Sequence, residues 1–125
     1  MIVLGVGSFV ADGERSAYPP SVAPIAVFTR LEAAPGRRDE LRAAFESLHD
    51  AVAAEPGTVV FAMHEATEEP DVVLFYEVYD DDRALAVHRD SAAVRDVVAR
   101  LGGLLARPPE VTYARSARAK GLPFA

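Results

Sequence analysis

The stretch VVLFYEVYDDDRALAVHRDS, residues 72–91, sets two chemically capable side chains in apolar surroundings. Glu77 interrupts a run that is otherwise apolar, and His88 sits in a short segment rich in Ala, Leu and Val. An imidazole with a pKa of ~6.5 suits a general base, or a hydrogen-bond donor to a phenol or quinol oxygen. The alternative is a core histidine bonded to a backbone carbonyl. Tyr76 adds a phenol that can orient an oxygen, or simply pack with its hydroxyl bonded locally. His64 is a second-rank candidate, because the register of its strand decides which way it faces.

Spacing suggests how these groups are held. In a helix over about 82–90, Leu85 lies three residues before His88, so the two share a face and both point inward. In the strand 72–79, period two groups Tyr76 with Val72, Leu74 and Val78, the more aliphatic set, which is expected under the helices. Glu77 then falls on the opposite face with Val73, Phe75 and Tyr79. A carboxylate buried there needs a donor, since an unpaired buried charge is very costly. Arg30, Arg115, Tyr79 or a backbone group across a dimer would serve. Glu77, Phe75 and Tyr79 are therefore expected at a dimer interface, with Glu77 fixing register rather than catalysing. Phe45, Leu48, Phe61, Leu85 and Leu101 are the expected walls of a substrate pocket, or else the filling of a core. His49 flanks an apolar helical stripe and reads as a half-exposed surface residue.

The elements that position these residues are legible from periodicity. IAVFTRLEA (25–33) reads as a first strand. Leu41, Phe45, Leu48 and Val52 line one face of a helix over 37–54, with Asp39 and Glu40 in its first turn to suit the dipole. Glu55-Pro56-Gly57 ends it. TVVFAMHEA (58–66) and VVLFYEVY (72–79) form a hairpin. Asp80 or Asp81 caps the helix near 82–90, and Ser91 caps the next, whose apolar face is Val94, Val97, Val98, Leu101 and Leu105. PPEVTYARS (108–116) is a last strand. The order β-α-β-β-α-β predicts a ferredoxin-like α+β domain, a four-stranded antiparallel sheet with helices on one face. Strands two and three are apolar on both faces, so the open face is expected to be covered by a second copy of the chain.

Composition narrows the classes. The 125 residues carry a net charge of −6, which offers no basic footprint for nucleic acid or anionic lipid. There is no cysteine, and the three histidines stand at no zinc-ligand spacing. The sequence GVGSF (5–9) lacks the third glycine of a nucleotide loop, and DDD (80–82) reads as a helix start rather than a cation site. The apolar start MIVLGVGSFV has no basic n-region and is too short to span a bilayer, which predicts a cytoplasmic protein. Residues 1–23 read as an apolar arm and Pro-rich linker, 24–117 as the domain and 118–125 as a tail. The arm is expected to pack on its own domain or on a partner subunit.

The ordered set EPG (55–57), His64, FYEVY (75–79) and DDRALAVHRDS (81–91) resembles the antibiotic biosynthesis monooxygenase family over residues 35–116. Many members have tryptophan where this chain has Tyr79, and a Pro-His pair where it has Ala92 and Ala93. The resemblance implies a dimeric α+β barrel. It also implies a small bacterial monooxygenase that oxidises a phenol, quinol or anthrone with O2, using no cofactor: no flavin, metal or haem. In that reading His88 is the base or anion partner and Tyr76 orients an oxygen. An isomerase of a small keto or lactone compound, and a dimeric binding or stress module without turnover, are the alternatives on the same fold. Haem-degrading relatives commonly use a pocket tryptophan, and this chain has none.

Overall fold

The computed structural model describes residues 21–124. The elements are β1 (Ile25–Glu32), α1 (Arg38–Ala44), α2 (Glu46–Val52), β2 (Thr58–Glu65), β3 (Val72–Tyr79), α3 (Asp82–Arg89), α4 (Ala92–Arg100) and β4 (Glu110–Ala114). The strands form one antiparallel sheet in the order β2-β3-β1-β4, the ferredoxin-like arrangement. The expected N-terminal arm, residues 1–20, lies outside the described residues. Among the described residues, no helix is long and apolar enough to cross a membrane.

Two local features differ from the sequence expectation. The helix expected over 37–54 is broken at Phe45, whose N–H bonds back three residues to Arg42 O at 3.1 Å. The tightened turn coincides with the seating of the Phe45 ring against Phe75, 4.7 Å between centroids. The last strand is shorter than 108–116: it ends at Ala114, and it starts only at Glu110 because Pro108 and Pro109 have no N–H for the ladder. The predicted caps are present: Asp81 Oδ1 accepts from Ala84 N at 2.8 Å, and Ser91 Oγ from Val94 N at 3.2 Å.

The facing of β3 is the reverse of the expectation. Val73, Phe75, Glu77 and Tyr79 face the helices, while Leu74 and Tyr76 lie on the open face. Register decides this. Glu77 is flanked by Val27 of β1 and Phe61 of β2, and Phe75 by Thr29 and Met63. Val27 and Leu31 are buried, whereas Phe28 is 46% exposed and Leu74 40%. Burial of the aromatic and aliphatic set on all three strands at once outweighs the aliphatic bias of β3 read alone. A bulge between Thr58 and Val60 puts Phe61 opposite Glu77. The main core joins Leu31, Leu41, Phe45, Leu48, Val73, Phe75, Val94, Val97 and Leu101 between sheet and helices.

Candidate active site

Between sheet and helices lies a cavity of about 30 Å³. Its walls include Phe45, Leu48, Phe61 and Leu85, together with His88. Leu101 belongs to the core but does not line it. The wall also holds Glu77, so this carboxylate faces the helices and not the dimer face expected from the strand pattern. Phe75 lines the cavity too, and Tyr79 is fully buried beside it. Tyr76 and His64 lie on the open face instead, with Phe28, in a shallow groove of about 290 Å³. They are therefore apart from His88, and the expected Tyr76–His88 pairing is replaced by Glu77 and His88.

Each polar group in the cavity has its own partner. The Tyr79 hydroxyl donates to Glu77 Oε1 at 2.5 Å along one strand face. His88 Nδ1 lies 3.0 Å from Glu55 Oε1, which also accepts from Thr58 Oγ1 at 2.7 Å. The His88 ring packs on Phe61 at 5.3 Å and Tyr79 at 5.2 Å. Phe61 in turn meets His49 edge-on at 4.9 Å, so His49 is half-buried against the aromatic cluster. Helix α3 reaches this position because residue 57 is glycine. A Cβ there would sit 2.5 Å from Ala84 Cβ.

Enclosure shifts the two groups in opposite senses. Burial pushes the Glu77 carboxyl up to about 7; the Tyr79 hydrogen bond opposes this and the charge of Glu55 adds to it. Burial lowers the His88 pKa, and Glu55 partly restores it through charge and hydrogen bonding. Burial, with Glu77 beside it, holds the Tyr79 phenol well above its ordinary value. Near neutral pH the cavity thus carries a carboxyl able to give or take a proton and an imidazole that is neutral. In the sequence Glu55 reads only as a helix end. Its bond to a residue 33 positions away has no local signal. Among the described residues, no group of three or more His, Cys, Asp or Glu side chains could hold a metal ion.

Residues 24–100 match the antibiotic biosynthesis monooxygenase family. The chain belongs to that family. The structure of Rv0793 from Mycobacterium tuberculosis is 29% identical with a TM-score of 0.72, covering 78% of this chain and 98% of that one. The crystal structure of PA3566 from Pseudomonas aeruginosa has a TM-score of 0.71, covering 77% and 96%; at 20% identity the likeness concerns the fold alone. The uncharacterised protein sll1783 of Synechocystis is 26% identical over 99 residues, covering 79% of this chain and 67% of that protein.

Proposed function

We propose that this family member is a cofactor-independent monooxygenase acting on a small phenol, quinol or anthrone-type compound. The observation that carries the reading is that Glu77 and His88 both line one apolar cavity between sheet and helices. His88, neutral near pH 7, would take the acidic proton of the substrate. The resulting electron-rich anion reduces O2 itself, so one oxygen atom enters the product and the other leaves as water. Glu77 supplies or accepts the second proton. The protein's part is to deprotonate, position and keep water out.

At about 30 Å³ the cavity accommodates about one water, against the ~150 Å³ that holds a benzene ring. Substrate entry therefore requires side chains to move. Phe61, partly exposed on edge strand β2, is the wall residue that would move. O2 uptake with hydroquinone-type substrates, lowered about 100-fold or more in His88→Ala, would support the reading. Uptake equal in the variant and wild type would remove His88 from the mechanism.

One observation favours a second reading, the isomerase. Two proton-carrying groups with pKa values moved in opposite senses suit transfer of a proton between two atoms of one substrate. That reaction consumes no oxygen, so an oxygen electrode separates the two.

The functional unit in this reading is a homodimer packed sheet to sheet. Phe28 and Tyr76 stack at 5.2 Å on the open face beside exposed Leu74, an apolar patch suited to a second copy.

A further inference from the structure

Glu55 leaves the C-terminal end of α2 and is tied to the sheet by Thr58, the first residue of β2, which pairs with Tyr79. The same oxygen meets His88 Nδ1, carried by α3. The carboxylate only accepts, so the ring nitrogen facing it must donate. A neutral imidazole with its proton on Nδ1 keeps its lone pair on Nε2.

We propose that Glu55 is a positioning residue that locks His88 as the Nδ1–H tautomer, leaving Nε2 as the basic nitrogen for the cavity. The assignment deepens the reading of His88 as a base and takes its catalytic meaning from it. The tautomer itself rests only on the Thr58–Glu55–His88 geometry. Phe61 and Tyr79 hold the ring plane, and Gly57 lets α3 approach near enough for the bond. When Nε2 takes a proton, the Nδ1–H bond to the carboxylate is kept and becomes an ion pair. The other titratable or charged groups around the ring are Glu77 and Tyr79 on β3 and Arg89 on α3. Arg89 has its Nε 3.7 Å from Asp90 Oδ1.

The test is long-range 1H–15N correlation of the histidine rings in the 15N-labelled full chain, followed across pH. Wild type is expected to show His88 with Nδ1 protonated and Nε2 bare above its titration midpoint. In Glu55→Gln the proton is expected to redistribute between the nitrogens, and the midpoint to fall by about one pH unit or more. An Nε2–H signal in wild-type His88 overturns the proposal, with no variant needed. An unchanged tautomer and midpoint in Glu55→Gln overturn it equally. Failure of wild type to consume O2 would defeat the monooxygenase reading and leave this spectrum standing. Where turnover is found, Glu55→Gln should lower kcat about 10-fold or more, leave KM nearly constant and shift the acidic limb of the pH profile. A parallel fall through lost folding alone would leave that limb in place and overturn the positioning role.

Discussion

Glu77 of β3 and His88 of α3 line the same cavity, one from the sheet and the other from the helix layer. Neither neighbours the other in sequence, and each has its own holder: Tyr79 for the carboxyl and Glu55 for the imidazole. Burial raises the Glu77 pKa to about 7 and lowers that of His88, so at neutral pH the carboxyl is poised to change charge while the imidazole stays neutral.

Stability should fall as pH rises through the Glu77 titration. The folded value of about 7 lies above the ordinary 4.5, so between them the folded chain holds a proton that the unfolded chain has released. Stability contributed by the neutral acid is complete below about pH 4.5 and is lost by pH ~7, a change of about 3 kcal/mol. His88 acts in the opposite sense, since its depressed pKa makes stability rise with pH towards ~6.5. Glu77→Gln isolates the first effect. Denaturation midpoints of wild type and variant between pH 5 and 8 should diverge, with the variant gaining relative stability at the alkaline end.

Gly57→Ala should cost about 1–3 kcal/mol. The new methyl would lie 2.5 Å from Ala84 Cβ, so α3 must retreat and carry His88 away from Glu55. Combining it with Ala84→Gly should recover part of the loss. Urea denaturation of the two single variants and the double variant checks the coupling.

Phe61→Ala should lower stability by about 2–4 kcal/mol and enlarge the cavity. The Phe61 ring packs against Phe75, His49 and His88, so its removal opens space beside the imidazole. Phenol should then raise the melting temperature of the variant more than that of wild type. An equal rise in both would mean that Phe61 does not restrict entry.

Leu74→Glu should break association without disturbing the cavity. Leu74 is 40% exposed on the face opposite His88, beside Tyr76 and His64. Sedimentation should show wild type as a dimer and the variant as a monomer, with circular dichroism unchanged. A wild-type monomer at micromolar concentration would remove the sheet-to-sheet dimer.

The sequence by itself determined the elements, their order, the caps at Asp81 and Ser91, and the ferredoxin-like fold, because these depend on local periodicity and local hydrogen bonds. It also marked His88 as inward-facing, since the helical spacing to Leu85 needs no partner strand. The facing of β3 was not legible. Val72 and Val78 are buried as well as Val73 and Tyr79, so the strand shows no alternation from which to choose a face. Pairing across β1 and β2, with the bulge at the start of β2, made that choice and turned Glu77 inward and Tyr76 outward. The partnership of Glu55 with His88 is likewise tertiary, because the close packing of Ala84 on Gly57 brings the helix to the turn. Residue types supplied the acid and the base, and long-range packing decided that they share one cavity.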